Sequence, residues 1–116
     1  MKQNWVHRIY ANGSVYLGEM SEDKRTGKGV YLFDSEDLYV GDWSENCIHG
    51  QGCYVFRSGE IYKGELRKGL KHGFGTFFYK DGRIYEGHWE ENIKFGFGNV
   101  IFPNGIKFLG FFSKRS

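Results

Sequence analysis

Apolar and polar positions alternate with a period of two inside short segments of this chain, and the segments themselves recur every 23 residues. Tyr16, Tyr39, Tyr62, Tyr85 and Phe108 mark the recurrence, and two residues after each stands Gly18, Gly41, Gly64, Gly87 or Gly110. The next alternate position holds Met20, Trp43, Leu66, Trp89 or Phe112, so each unit contains a Tyr-x-Gly-x-apolar segment, strand A. Strand B follows with Gly27-Lys28-Gly29, Gly50-Gln51-Gly52, Gly73-Phe74-Gly75 or Gly96-Phe97-Gly98, leading to Tyr31, Tyr54, Phe77 or Val100 and then Phe33, Phe56, Tyr79 or Phe102. Residues i, i+2 and i+4 of a strand share a face, so rings alternate with bare backbone on one side. A missing side chain lets a neighbouring ring lie flat over the backbone.

The pattern predicts an all-β protein: an elongated, twisted antiparallel meander of about ten strands built from 23-residue β-hairpin repeats, in which each hairpin mainly touches its neighbours. No stretch carries a helical apolar period without glycine interruption. Residues 1–13 are expected to form a degenerate N-terminal strand, with Asn4 and Val6 where glycines belong and Tyr10 completing the aromatic column. Residues 14–116 form the repeat domain, with units starting near 16, 39, 62 and 85 and a half unit at 108. After strand B, the pairs Asn12-Gly13, Ser58-Gly59, Asp81-Gly82 and Asn104-Gly105 accept positive φ and predict tight turns, with Glu36 as the departure. The A-to-B connection reads as the longer turn, and carries Asp23, Asn46, Gly69 or Asn92, which tolerate the left-handed conformation.

Composition agrees with many turns and few helices: 18 glycines, one proline and 19% aromatic residues. The net charge of +2, from 16 basic and 14 acidic residues, is too balanced for a dedicated nucleic-acid binder. Two cysteines, Cys47 and Cys53, do not make a secreted disulfide framework, which favours a reducing compartment. The N-terminus has no apolar leader core and no run approaches a bilayer span, so a soluble intracellular protein is expected. The lack of acids in residues 1–18 is a faint transit-peptide feature that the repeat register already explains.

Catalytic and metal chemistry find little support. Each Gly-x-Gly run leads into a strand, whereas phosphate-binding glycine loops open a helix. Cys47, His49 and Cys53 match no standard zinc spacing, and His49 recurs as His72 without cysteines. No nucleophile, histidine and acid combination stands apart from the register, so neither enzymatic activity nor a cofactor is expected.

The units resemble MORN (membrane occupation and recognition nexus) repeats, whose pattern is Tyr-x-Gly-x-Trp, a polar turn, His-Gly-x-Gly and an aromatic before the next turn. Tyr39 to Phe56 and Tyr62 to Phe78 match most closely, with His49-Gly50 and His72-Gly73 intact; Thr26 and Phe95 depart in the histidine column, Met20 and Leu66 in the tryptophan column. The resemblance implies a non-catalytic, protein-binding scaffold, a subunit of a larger cytoskeletal or axonemal-type assembly. It places the chain in the cytoplasm, at the cytoskeleton or a cilium or flagellum.

Plain packing accounts best for the tyrosine, glycine and tryptophan columns: Tyr16, Gly18, Tyr39, Gly41, Trp43, Tyr62, Gly64, Tyr85, Gly87 and Trp89 are assigned to structure. A single layer cannot bury both faces, and the 22 aromatics exceed what self-packing hides. On the other face, one row reads Glu19, Lys28, Asp42, Gln51 and Glu65, then changes to Phe74, His88, Phe97 and Phe111. Phe78, Ile84, Ile101 and Leu109 are expected on the same side. Phe74, Phe78, His88, Phe97 and Phe111 are therefore the candidate partner-binding residues, against the plainer reading that they cap the last strands. The basic set Arg57, Lys63, Arg67, Lys68 and Lys71 is a candidate contact for an acidic partner or an anionic membrane, the latter secondary. The end strands, residues 4 to 10 and 107 to 112, should present free edges that allow end-to-end self-association.

Overall fold

The computed structural model of the chain describes residues 5–113. They form ten strands in sequence order: β1 (Trp5–Ile9), β2 (Val15–Ser21), β3 (Lys24–Leu32), β4 (Leu38–Ser44), β5 (Cys47–Val55), β6 (Ile61–Arg67), β7 (Leu70–Phe78), β8 (Ile84–Glu90), β9 (Ile93–Ile101) and β10 (Lys107–Phe112). One open antiparallel sheet of order β1 to β10 measures 45 × 34 × 23 Å, and no helix occurs among the described residues. The even-numbered strands are strand A of the repeat, the odd-numbered ones strand B. Asn4 lies outside the described residues; Val6 sits opposite Gly18 in β1·β2.

The two kinds of turn are the reverse of the expected lengths. Strand B runs beyond its glycines, so β3 begins at Lys24 and the A-to-B connection shrinks to two residues. Glu22-Asp23, Glu45-Asn46, Lys68-Gly69 and Glu91-Asn92 all take φ between 48° and 82°, the mark of a type I′ turn whose twist suits a hairpin. The B-to-A connection is the longer one: the Phe33 amide donates to the Asp37 carbonyl and the Glu36 amide to the Phe33 carbonyl, both at 2.9 Å. Only the fourth residue there, Gly13, Glu36, Gly59, Gly82 or Gly105, has positive φ. The residue before it instead accepts a hydrogen bond through its side chain from the amide two positions on, as Asn12 does from Ser14 (2.9 Å) and Asp81 from Arg83 (3.0 Å). The extension of strand B was hidden because each A·B pair shifts register once, between Gly18 and Met20 in the first hairpin and at equivalent places in the next three.

The inner face is the core. Tyr16, Tyr39, Tyr62 and Tyr85 are fully buried, and Trp43, Leu66 and Trp89 nearly so. A Cβ added at Gly29, Gly52, Gly75 or Gly98 would overlap the ring and hydroxyl of Tyr16, Tyr39, Tyr62 or Tyr85, so these glycines are the floor on which the rings lie. Each hydroxyl then donates to a carbonyl three residues on: Glu19, Asp42, Glu65 and His88, at 2.7, 2.8, 2.7 and 3.0 Å. Those carbonyls stand where the register shifts. Trp43 meets Tyr16 and Tyr39 edge-on at 5.4 and 5.6 Å, and Trp89 meets Tyr62 and Tyr85 at 5.6 and 5.2 Å, so the tryptophans tie neighbouring units together.

Candidate partner surface

The cross-strand register resolves the outer face into three rows. In the row beside the type I′ turns, one position of the repeat holds a facing pair in four successive units: Lys28 with Asp42, Gln51 with Glu65, Phe74 with His88, and Phe97 with Phe111. The chemistry of that position changes along the sheet. Lys28 and Asp42 form an ion pair, and Asp42 Oδ2 also accepts from the Gln51 amide at 2.9 Å. Against the burial that would raise it, the Lys28 ammonium and the Gln51 amide hold the Asp42 carboxyl below the usual carboxylate range. Two units later the position is aromatic: Phe74 and His88 pack edge-on at 5.7 Å, Phe97 and Phe111 at 5.0 Å. Phe74, Phe97 and Phe111 nevertheless remain 56%, 59% and 64% exposed.

Phe78, Ile84, Ile101 and Leu109 lie on this same outer face, as expected, but Phe78 is in a different row. It faces Ile61 and Ile84, and that row continues through Val15, Leu32, Leu38, Val55 and Ile101. Phe78, Ile84 and Ile101 are thus members of an apolar row present in every repeat, rather than a feature of the C-terminal half. Leu109 faces Asn99 in the middle row. That middle row runs the other way in character: Leu17, Val30, Val40 and Cys53, then Lys63, Thr76, Glu86 and Asn99. Apolar surface therefore crosses the outer face obliquely, from Leu17 and Val40, both 44% exposed, toward Phe74 and Phe97. A shallow hollow of 480 Å³ lies between the two ends, with Val40 and Phe74 both on its wall. The N-terminal part of this track was missed because Leu17, Val30 and Val40 are ordinary strand residues one by one; only the cross-strand register makes them a row.

The basic set does not share one surface. Lys63 is on the outer face, with its ammonium 6.0 Å from the Phe78 ring. Arg67 ends β6, and Lys68 is in the adjoining type I′ turn. Arg57 is at the opposite end of the strands, 3.5 Å from the Glu36 carboxylate. Lys71 is on the inner face, since it pairs across with the buried Leu66, and its ammonium sits 5.3 to 5.9 Å from the rings of Phe56, Tyr62, Phe77 and Trp89. Proximity in sequence grouped residues that strand alternation and the turns separate.

Lys71 belongs to a column that the tyrosine and glycine pattern does not single out. Arg25, Ile48, Lys71 and Lys94 recur at the same period and occupy equivalent inner positions. The Arg25 guanidinium lies 4.9 Å from the Trp43 ring and 5.0 Å from Tyr31; Lys94 lies 5.1 Å from Tyr79 and 5.3 Å from Tyr85. Burial, with Lys94 nearby, lowers the Lys71 pKa, and burial pushes the Tyr16 hydroxyl up to about 12. These cations cover aromatic faces with alkyl stems and charge, which lets a single-layer sheet wet its inner surface at the rim. The 23-residue spacing was the available signal.

Of the residues weighed for metal, Cys47 and Cys53 are free thiols, His49 Nδ1 accepts from the Lys68 amide at 3.4 Å, and His72 Nδ1 is buried without a partner. No group of three or more metal-binding side chains occurs among the described residues.

A single antiparallel layer with one self-packed face and one open face is the build of a hairpin-repeat scaffold. The family model for the MORN repeat matches residues 16–37, 39–61, 62–82 and 85–107, and the chain belongs to the MORN repeat family. Repeats of this family are generally protein- or membrane-interaction repeats, and the family is a non-catalytic repeat scaffold. Comparison with curated proteins finds no match.

Proposed function

We propose that this chain is a non-catalytic scaffold that holds a protein partner on its outer face, as a subunit of a larger cytoskeletal or axonemal-type assembly, with Phe74, His88, Phe97 and Phe111 as the anchor. One observation carries the reading: a position that holds an ion pair and then a polar pair in the earlier units holds exposed aromatic pairs in the later ones, while Tyr16, Tyr39, Tyr62 and Tyr85 stay buried on the other face throughout. Large exposed rings that the fold does not need are the usual anchors of a protein interface. The assembly and its place in the cell rest on the family resemblance alone.

Affinity capture from cells with the wild-type chain and with a Phe74→Ser/Phe97→Ser double variant, read by mass spectrometry, tests the reading. A partner retained by the wild type and depleted more than about tenfold by the variant supports it, since a desolvated aromatic anchor is worth about 2 kcal/mol or more. Equal recovery by both removes the anchor. An anionic membrane as the contact is separated by liposome sedimentation of the same two proteins; the scattered basic set, with Arg57 and Lys71 turned away from Lys63, favours the protein partner.

A further inference from the structure

The inner face carries an amine in an uncommon setting. Lys71 lies on β7 among the rings of Phe56, Tyr62, Phe77 and Trp89, with its ammonium 5.8, 5.9, 5.6 and 5.3 Å from their centres. A hollow of 190 Å³ adjoins it, walled by Tyr54, Phe56, Tyr62 and Leu66. Asn92 lines its turn end, and the Asn92 Oδ1 accepts from the Lys71 amide at 2.9 Å, which fixes the start of the strand. Strand alternation turns carboxylates away: Glu65, Glu86 and Glu90, the acids of β5 to β9, stand at outer positions, while Lys71 pairs with the buried Leu66 inside. The charge that does approach is of the same sign, because Lys94 on β9 stands 5.9 Å from the Trp89 ring that Lys71 also meets. The other ionisable groups on that face of β5, β6 and β8 are phenols: Tyr54 donates to the Asp37 carboxylate, and Tyr62 and Tyr85 to the Glu65 and His88 carbonyls. The adjoining turns add Lys68 and Glu91, both exposed.

Rings favour the ammonium form of a lysine. Burial, and after it the Lys94 charge, oppose them and lower the Lys71 pKa. A desolvated amine beside a second cation is the arrangement that makes lysine a nucleophile toward carbonyl carbon. Of the equivalent positions, Arg25 stays charged, with its Nε held by Asn46 Oδ1 at 2.8 Å, Ile48 has no amine, and Lys94 supplies the second charge. We propose that Lys71 is a capture site for an apolar aldehyde the size of one side chain, whose body fills the hollow and whose carbonyl condenses with the amine. The neutral amine attacks the carbonyl carbon; the carbon–nitrogen bond forms, the oxygen takes up a proton, and loss of that oxygen as water leaves an imine. Amine and aldehyde give imine and water, with no oxidant or reductant consumed. This is covalent ligand binding rather than turnover, and it uses the face opposite the partner anchor.

Benzaldehyde with cyanoborohydride, which reduces an imine to a stable amine, reads the capture on the full chain when peptides are mapped by mass spectrometry from about pH 6 to 9. At neutral pH Lys71 should take up label at several times the rate of the exposed Lys63, Lys68 and Lys80. Its rate should saturate with benzaldehyde while theirs rise linearly, because the hollow holds the aldehyde before the bond forms. Lys94→Gln keeps most of the stem and removes the charge, so it should raise the Lys71 pKa and move its labelling profile to higher pH, with the other profiles in place. A purely structural Lys94 would not move it. Leu66→Trp puts into the hollow wall the residue that the fold already holds in that column at Trp43 and Trp89, and should abolish the saturation. Phe97→Ser should change nothing, so this capture and the partner anchor are tested apart. Labelling of Lys71 no faster than that of Lys68 and Lys80, a rate linear in benzaldehyde, or a pH profile unmoved by Lys94→Gln overturns the proposal.

Discussion

The two faces of this sheet are both rich in aromatic rings, and they differ in repetition and in exposure together. On the inner face Tyr16, Tyr39, Tyr62 and Tyr85 recur through the four full units and are fully buried; on the outer face Phe74, Phe97 and Phe111 have no aromatic counterpart in the first two units and are more than half exposed. In a solenoid each unit must pack on the next, so a column that self-packing requires repeats at every step. A ring that breaks the repeat is free of that requirement. The difference teaches where to look for function in a repeat protein: in the departures from the period.

If that division is right, the largest effects belong to the inner face. Gly75→Val should abolish or severely destabilise the fold, by roughly 4 kcal/mol or more, because its side chain would occupy the space of the Tyr62 ring and hydroxyl. Chemical denaturation followed by far-ultraviolet circular dichroism reads this, and a stable Gly75→Val protein would show that the rings do not need their glycine floor. A smaller loss is expected from Tyr62→Phe, which keeps the ring but leaves the Glu65 carbonyl without its 2.7 Å donor. About 1 to 3 kcal/mol is the scale for a buried acceptor so orphaned; an unchanged midpoint would mean that water replaces the hydroxyl there.

Ionisation probes the same column without mutation. A phenol whose pKa folding raises gives stability that is complete below its unfolded value near 10 and is lost as the pH climbs through its folded value, about 12 for Tyr16. Burial raises Tyr39, Tyr62 and Tyr85 in the same direction. Stability should therefore hold up to about pH 10 and fall steadily above it. Melting curves from pH 8 to 11.5, with the absorbance of ionised tyrosine recorded in parallel, would contradict this if the buried tyrosines titrated near pH 10 in the folded protein.

The period and the face of each strand were readable because glycine and tyrosine do one job at every recurrence. The same logic placed Phe74, His88, Phe97 and Phe111 in one row. Turn lengths were not readable: the register shift inside each A·B pair lets strand B start three residues before Gly27, and nothing in the local composition announces it. Phe78 was grouped with the patch because its row looks exceptional until Leu32, Leu38, Val55 and Ile61 are seen beside it. In the sequence Lys71 reads as a surface charge because lysine is normally one; its place opposite Leu66 and among four rings is a property of register, visible only through its spacing from Arg25 and Lys94.

Phe97 and Gly98 are neighbours on β9 that face opposite sides of the sheet, and they put the central claim to the most direct test. Thermal unfolding of Phe97→Ser and Gly98→Val, measured side by side, should leave the first within about 0.5 kcal/mol of the wild type, as for an exposed position. The second should lose most of its stability, because a side chain at Gly98 overlaps the Tyr85 ring. If Phe97→Ser unfolds the protein instead, the outer rings are a terminal cap that the fold depends on, and the division of labour between the two faces is wrong.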